Sequence, residues 1–156
     1  MTQEKPLPKI YTASSWRNVR YPKVVRRIKN EGFQVYDFQN PWDFGAAFNW
    51  YQVDASWTGG ADMAVSAASF VRGIEHPVAK RGFSSDFSGM KWADIGVLIL
   101  PCGKSAHMEA GWFVGAGKPL HILLEDPLRP ELTYSLAKCH ETIDSLIAAL
   151  YGEKQA

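Results

Sequence analysis

The stretch from Ile95 to Leu100 reads IGVLIL, and the residues from Pro101 to Gly111 that follow it read PCGKSAHMEAG. The first stretch is a continuous aliphatic run with β-branched members, which is typical of a strand buried in a parallel sheet. The second predicts a turn at its proline and glycine and then a helix over residues 105–115. A buried strand that leads through a turn into a helix is the building unit of α/β sheets.

The rest of the chain repeats this alternation of strands and helices. We predict further strands at Lys9–Ala13, Phe33–Phe38 and Pro119–Leu124, and helices at Tyr21–Asn30, Ala61–Arg72, Ser84–Trp92 and Asp144–Leu150. Gly32 follows the first helix, where a helix C-terminus favours glycine. Residues 40–60 are rich in aromatic side chains without a clear period, so we expect a loop there with one short helical turn. The pattern predicts a Rossmann- or flavodoxin-like doubly wound parallel sheet of about five strands, in three αβα layers.

Length and composition narrow the class of protein. The 156 residues are the usual size of one domain, so we expect a single domain over residues 1–156. The formal net charge of +1 does not suggest a nucleic-acid binder. One basic tract has helical spacing, and a solvated helix face is its favoured interpretation. Its residues are Arg20, Lys23, Arg26, Arg27 and Lys29.

Cysteine usage and hydropathy indicate the compartment. The two cysteines show neither metal-ligand spacing nor a disulfide framework, which fits a reducing environment. The polar start of the chain is unlike a signal peptide, and Ile95–Leu100, its longest aliphatic run, is far too short to cross a bilayer. We therefore expect a cytoplasmic protein with no membrane or nucleic-acid partner.

The loop after the first strand is the first candidate ligand site. Ser14, Ser15, Arg17 and Asn18 follow the strand directly. Hydroxyls, an amide and a guanidinium beside a helix N-terminus suit a phosphate or a sugar oxygen. A capped helix start with a surface arginine explains the same residues, and the loop alone does not decide between the two.

The loop after Leu100 is the second candidate. Ser105 and Glu109 are one helical turn apart and therefore share a face of the predicted helix. A carboxylate near a helix N-terminus is held ionised, as a glycosidic nucleophile must be, and Gly103 lets the backbone pass close to a ligand. An ordinary acid at a helix start explains Glu109 equally well, so spacing alone leaves both interpretations open.

Further titratable residues surround these loops. Asp86 is a candidate acid for protonating a leaving base, although a solvated helix residue is slightly favoured. Asp94 directly precedes the buried strand, so a structural role is favoured. Cys102 lies near a helix N-terminus, which would lower the pKa of its thiol, and catalysis by it is a minor option. The histidines lack ligand spacing, so we predict no metal site, and His107 is interpreted as a surface or interface residue.

This pattern resembles the nucleoside 2-deoxyribosyltransferase family, including its nucleoside 5′-monophosphate N-glycosidase-like members. The residues that carry the resemblance are Asp86, Asp94, Ser105, Glu109 and Gly111, followed by Gly117-Lys118-Pro119. The opening Ile10–Ser14 with Arg17 is similar to the first strand and ligand loop of that family. The resemblance covers most of residues 9–125.

The resemblance implies an activity and a site. Glu109 falls at the catalytic glutamate, which forms a covalent glycosyl-enzyme intermediate, and Asp86 at an aspartate that contacts the sugar and helps the base to leave. Ser105 lies close to a position that binds sugar or 5′-phosphate oxygens, and Ser14 and Arg17 match the ligand loop. The family uses no metal and no redox cofactor, acts in nucleotide metabolism or salvage, and forms homodimers or larger assemblies that complete the site.

The chain also departs from the family pattern. The segment Pro41–Trp57 is unusually rich in tryptophan, so Trp50 is predicted either to stack on a base or to serve packing. The loop Pro101–Ser105 differs from the longer loops of well-described members. This difference leaves open the identity of the base, the need for a 5′-phosphate, and whether the sugar passes to a base or to water.

Three other functions remain open from the sequence. The string from Pro101 to Glu109 also resembles phosphoribohydrolases of the lysine-decarboxylase-like group, although their paired-glycine threonine pattern is absent. A non-catalytic nucleotide-binding sensor is the main alternative, because one fold hosts both kinds of role. A structural oligomer would place Trp42, Trp50 and Trp57 at a subunit contact.

Overall fold

The computed structural model describes residues 4–41, 47–60 and 62–153. They form two compact units: the described residues up to Asp37 and from Gly89 onward make the first, and residues 38–88 belong to the second. The single domain predicted from length stays a prediction. Within the described residues, no helix is long and apolar enough to span a membrane.

The first unit contains a parallel sheet of five strands. The strands are β1 (Ile10–Ala13), β2 (Val35–Asp37), β3 (Ile95–Ile99), β4 (Leu120–Leu123) and β5 (Lys138–His140). Their order is β2-β1-β3-β4-β5, and every neighbouring pair is parallel. The α-helices of the described residues are α1 (Tyr21–Asn30), α2 (Ala67–Gly73), α3 (Pro77–Trp92), α4 (Lys104–Gly115) and α5 (Ile143–Glu153). The predicted α/β fold is confirmed.

Side chains of β1 show that helices cover both faces of the sheet. Successive residues of a strand point to opposite faces. The Tyr11 ring lies 5.6 Å from that of Phe113 on α4. The next residue, Thr12, has its hydroxyl 2.8 Å from the Tyr21 hydroxyl on α1. A salt bridge joins α1 to α5, so these two helices share one face and α4 covers the other.

Helix α1 has the bounds that its sequence predicts. Val24, Val25 and Ile28 are buried against the sheet, as their helical spacing requires. Gly32 follows with a φ of +94°, a left-handed conformation that glycine adopts without steric cost.

Gly96 in the middle of β3 lets α4 approach the sheet closely. A Cβ atom built on Gly96 would lie 2.7 Å from Cγ of Phe113, whose side chain is fully buried. Real Cβ atoms do not approach other heavy atoms so closely. The helix that carries Ser105 and Glu109 is therefore held against β3 by a contact that only glycine permits.

Strand β2 is shorter than predicted, and four further elements differ more strongly from the sequence prediction. Helix α2, expected from Ala61, begins at Ala67, where Ser66 accepts a hydrogen bond from the Ser69 amide; Ala61 lies outside the described residues. Helix α3, expected from Ser84, begins at Pro77, because proline is well tolerated in a first helical turn. Strand β5 and a 3-10 helix over Leu132–Leu136 were not predicted.

In the second unit the aromatic residues pack on one another. Trp50 begins a 3-10 helix, and its ring lies 4.9 Å from Phe48 and 5.6 Å from Trp57. Trp57 is buried, and a Cβ atom on Gly73 would lie 2.4 Å from its ring. Packing therefore explains Trp57 without a subunit contact. Trp42 lies outside the described residues.

Strands β4 and β5 bring together two histidines that lie far apart in the sequence. His121 Nδ1 is 2.9 Å from His140 Nε2, and His121 Nε2 is 3.0 Å from the Glu153 carboxylate. Because that carboxylate accepts, His121 donates from Nε2 and accepts at Nδ1 from His140. His140 Nδ1 then accepts from the Ser145 hydroxyl at 2.9 Å, and Lys138 also donates to Glu153 at 2.7 Å. Nowhere in the described ranges do three metal-ligating side chains form a group able to hold an ion.

Candidate functional site

The two candidate loops of the first unit leave the same edge of the sheet. Strands β1 and β3 are parallel neighbours, yet the chain turns outward from them in opposite directions, to β2 and to β4. This is the topological switch point, where doubly wound folds bind their ligands beyond the carboxyl ends of the strands.

Ser14 and Asn18 tie these loops together. Ser14 Oγ donates to the Ile99 carbonyl oxygen at 2.7 Å. Asn18 Nδ2 donates to Ser14 Oγ at 3.0 Å and to the Ile99 carbonyl oxygen at 3.2 Å, and Asn18 Oδ1 accepts from the Arg20 amide at 3.1 Å. Asn18 is buried, so these bonds give it a structural function. Ligand binding by either residue stays a prediction.

Ser15 and Arg17 lie on the outer part of the same loop. Ser15 Oγ accepts a hydrogen bond from the Arg17 amide at 3.2 Å, and the Arg17 side chain is exposed. An exposed guanidinium at this edge suits an anionic ligand, and its role also stays a prediction.

Helix α4 carries Ser105 in its first turn and Glu109 in its second. Ser105 is exposed, whereas Glu109 is half-buried. Glu109 lies one turn further into the helix than an acid in the first turn would. The helix dipole therefore stabilises its negative charge less strongly. Gly103 is the N-cap residue, and a Cβ atom on it would meet nothing within 4 Å, so local crowding does not require glycine there.

The expected low pKa of the Cys102 thiol is wrong. Burial first, and then the negative charges of Glu109 and Glu125, together raise that pKa to about 12. Proximity to the start of α4 does not offset these effects. A thiol with a raised pKa is mostly protonated near neutral pH, which argues against Cys102 as the nucleophile.

His107, which the sequence predicts to be a surface or interface residue, is half-buried, and both of its ring nitrogens have partners. Its Nδ1 lies 2.8 Å from the Gly103 carbonyl oxygen, and its Nε2 lies 2.9 Å from the Tyr134 hydroxyl. Because the carbonyl can only accept, Nδ1 of the neutral ring carries the hydrogen and Nε2 accepts from Tyr134. His107 thus braces the loop before α4, and Tyr134 was missed because nothing in its sequence surroundings marks it.

A hollow of about 440 Å³ opens beyond the ends of β3 and β4. We call it the β3–β4 hollow. Its lining residues are Leu100, Cys102, His107, Glu125, Pro127, Leu128, Arg129 and Tyr134. Ligand pockets typically have this size and mixture of apolar, aromatic and polar walls.

Asp86 and Trp50 belong to the second unit. Asp86 is half-buried on α3, and Trp50 is half-buried within the aromatic cluster. The first position is compatible with a carboxyl group that reaches a ligand, and the second with ring stacking. Both roles stay predictions. The structural role favoured for Asp94 is confirmed, because its carboxylate accepts from the Lys9 amide at 2.8 Å in the first unit.

Three solved structures are similar to the chain over most of its length. A conserved protein of Enterococcus faecalis V583 has a TM-score of 0.59 and 15% identity, over 94% of this chain and 99% of that one. A 2-deoxyribosyltransferase of the psychrotolerant bacterium Bacillus psychrosaccharolyticus has a TM-score of 0.56 and 19% identity, over 91% and 95%. A CMP N-glycosidase of Clostridium botulinum has a TM-score of 0.49 and 12% identity, over 92% and 98%.

No protein-family model matches the sequence, and a comparison with curated proteins gives no match. The structure of the CMP N-glycosidase is too different from this chain to support a conclusion about its fold. At their low identities the other two likenesses show the fold alone. The fold that the sequence resemblance implied is therefore confirmed: this chain has the α/β fold of a 2-deoxyribosyltransferase.

Proposed function

We propose that this protein cleaves the N-glycosidic bond of a 2′-deoxynucleoside or its 5′-monophosphate, with the carboxylate of Glu109 as nucleophile. The main support is the position of Glu109, half-buried on the helix that follows β3 at the ligand-binding edge of the sheet. The fold shared with a 2-deoxyribosyltransferase agrees with this activity.

The reaction proceeds by double displacement. A carboxylate oxygen of Glu109 bonds to the anomeric carbon as the carbon–nitrogen bond breaks, and the bonding pair leaves with the base. A proton from Asp86 or from water neutralises the departing nitrogen. A nitrogen of a second base, or water, then attacks the same carbon and gives its proton to Asp86 or to solvent, and Glu109 leaves as a carboxylate. Transfer and hydrolysis differ only in the second attacking group.

Base release from a panel of 2′-deoxynucleosides and their monophosphates tests the proposal. We expect release by the wild-type protein and a loss of at least about 1,000-fold in Glu109→Gln, because that variant keeps the shape of the side chain but not its nucleophilic oxygen. Glu141→Gln is the matched control, since Glu141 is exposed and its substitution should leave the rate unchanged. Dependence on an added base distinguishes transfer from hydrolysis.

Two outcomes would contradict the assignment. Release that persists in Glu109→Gln would remove Glu109 as nucleophile. No release from any substrate by folded wild-type protein that still binds nucleotide would favour the non-catalytic sensor. Asp86→Asn tests the second residue, and we expect a loss of about 100-fold if Asp86 supplies the proton.

The proposed function also includes a homodimer or a larger assembly, as the family resemblance implies. Light scattering over a range of protein concentrations measures this directly. A monomer at every concentration, with full activity, would show that one chain forms the complete site.

A further inference from the structure

The start of helix α4 is not fixed by the side chain of its N-cap residue. That residue is Gly103, and no side-chain hydrogen bond caps the helix there. A Cβ atom on Gly103 would meet nothing within 4 Å, so close packing does not hold the residue either. Glycine also has the freest backbone of all residues. The conformation of this turn, which leads to Ser105 and Glu109, therefore depends on the hydrogen bonds of Gly103 itself.

The Gly103 carbonyl oxygen accepts two hydrogen bonds, and both donors belong to His107. The backbone amide of His107 lies 3.3 Å from that oxygen, and the ring nitrogen Nδ1 lies 2.8 Å from it. Hydrogen bonds of this kind usually measure about 2.9–3.0 Å, so the amide bond is long and the ring bond is short. The Cys102 sulfur, 3.7 Å from Nδ1, is only a weak acceptor. The His107 ring thus supplies the shorter of the two bonds that close the first turn of α4.

Tyr134 determines which nitrogen of the His107 ring carries the hydrogen. Its hydroxyl lies 2.9 Å from Nε2, and the two rings are stacked with their centroids 5.8 Å apart and 16° between their planes. In the neutral ring Nδ1 donates to Gly103, so Nε2 accepts and the Tyr134 hydroxyl donates. Without that hydroxyl both tautomers would be open to the ring, and only one of them donates to the Gly103 carbonyl oxygen.

Tyr134 is itself held in place by the segment that precedes β5. It lies in the 3-10 helix over Leu132–Leu136, which begins after Glu131. The Glu131 carboxylate accepts hydrogen bonds from the Thr133 amide at 3.0 Å and from the Thr133 hydroxyl at 2.9 Å. A chain of contacts therefore runs from this short helix through Tyr134 and His107 to the first turn of α4.

We propose that His107 and Tyr134 are positioning residues, which fix the first turn of α4 and thereby the place of the Glu109 carboxylate. Glu109 follows His107 by two residues, so it points from a different side of the helix, and His107 acts on it through the backbone. A displacement of about 1 Å at a reacting group can cost about 100-fold in rate. The inference rests on the proposed function, in which Glu109 is the nucleophile.

Two substitutions of His107 separate its two hydrogen bonds. His107→Asn places an amide nitrogen near the position of Nδ1, where it can still donate to the Gly103 carbonyl oxygen. His107→Gln places its amide near the position of Nε2, where it faces Tyr134 instead. With the deoxynucleoside that the wild-type protein cleaves fastest, we expect His107→Gln to lower kcat by about tenfold or more and to change KM by less than about twofold. His107→Asn should lose no more than about threefold in kcat.

Tyr134→Phe tests the second residue. It should lower kcat by about threefold or more in the wild-type protein and cause no further loss in His107→Asn, because an amide has no tautomer to select. Tyr151→Phe is the matched control: it removes a tyrosine hydroxyl that donates to the Glu31 carbonyl oxygen at 2.7 Å, and kcat should stay unchanged. Thermal unfolding of both variants shows that they are folded and separates a loss of stability from a loss of rate.

The tautomer is measured without substrate by ¹⁵N NMR of the histidine rings, at about pH 8.5, where an ordinary imidazole is neutral. The signals of His107 are those that disappear in His107→Asn. We expect the hydrogen on Nδ1 in the wild-type protein, and in Tyr134→Phe we expect part of the population to carry it on Nε2. Tyr151→Phe should leave the ring signals unchanged.

The outcomes distinguish this inference from the proposed function. Wild-type kcat in His107→Gln would overturn the positioning role of His107. Identical ring signals in the wild-type protein and in Tyr134→Phe would overturn the role of Tyr134. If no substrate releases base, the proposed function is wrong and the link to Glu109 falls with it, while the ring signals still decide whether Tyr134 selects the tautomer that holds Gly103.

Discussion

The loop after β1 and the β3–β4 hollow lie at the same edge of the sheet, yet their polar side chains are used differently. Ser14 and Asn18 are bonded to each other and to the Ile99 carbonyl oxygen. Glu125 makes no such bond among the described residues. Polar residues that follow a strand therefore differ in how far their hydrogen-bonding capacity is used: Ser14 and Asn18 hold the backbone, whereas the Glu125 carboxylate keeps its capacity to accept.

The largest effect on stability is expected from a substitution in the sheet that carries both regions. Gly96→Ala places a methyl group 2.7 Å from Cγ of the buried Phe113, so the strand or the ring must move. We expect a loss of about 3 kcal/mol in the free energy of unfolding, measured by denaturant titration. Gly115→Ala is the control, because a Cβ atom there meets nothing within 4 Å and should be neutral or stabilising.

Asn18→Ala tests the loop after β1, where the polar side chains are hydrogen-bonded to the protein. It removes a buried amide and its bonds to Ser14, Ile99 and Arg20, and leaves the Ile99 carbonyl oxygen with fewer donors. We expect the free energy of unfolding to fall by about 2 kcal/mol. Asn30→Ala, at an exposed position, should change it little. An equal effect of both substitutions would mean that Asn18 does not hold the loops together.

A smaller loss of stability is expected as pH falls. It comes from His121 and His140, which form a second hydrogen-bonded network. Burial lowers the pKa of both His121 and His140 below the ordinary 6.5, and it outweighs the opposing effect of Glu153 on His121. Below about pH 6.5 the unfolded chain takes up protons that the folded chain does not. Stability contributed by the neutral pair is therefore constant above that pH and is lost as pH falls towards the folded pKa values.

Denaturant titration between pH 5 and pH 8 measures this loss. His140→Gln keeps a donor that can face His121 but removes one titrating group, so its stability should depend less steeply on pH. The same slope in both proteins would show that other groups, such as the carboxylates, cause the acid sensitivity.

The smallest effect on stability is expected from a substitution in the β3–β4 hollow. Glu125→Gln removes a charge that makes no hydrogen bond or ion pair with the described residues, so the free energy of unfolding should change by less than about 0.5 kcal/mol. Thermal unfolding of Glu125→Gln and of Asn18→Ala under the same conditions compares the two regions directly. Destabilisation of similar size in both variants would show that Glu125 is structural.

The sequence predicted the elements whose side chains repeat with a clear period. Helix α1 agrees in both bounds because its apolar residues recur on one face, and β3 agrees within one residue because Ile95–Leu100 is continuously aliphatic. Strand β5 was missed because Lys138–His140 has no apolar pattern, and its first two residues are exposed at the edge of the sheet. Such a strand is defined by its neighbour rather than by its own residues.

The candidate site was predictable in position but not in detail. Motif spacing and strand order place the loops of Ser14 and Glu109 at one edge of the sheet. The partners of His107 and Glu125 depend on how distant segments pack, and no local pattern in the chain reports that. The same limit applies to His121 and His140, which meet only because β4 and β5 pair in one particular register.

The bond between Ser14 and Ile99 joins residues that are 85 positions apart. Strand β1 is synthesised before β3, and residues 38–88 are made between them. A growing chain can therefore pair β1 with β2 early, but the other edge of β1 stays open until β3 has left the ribosome. An open, apolar strand edge can add a strand from another chain. The placement of the second unit thus lengthens the time during which this edge of β1 is open in a growing chain.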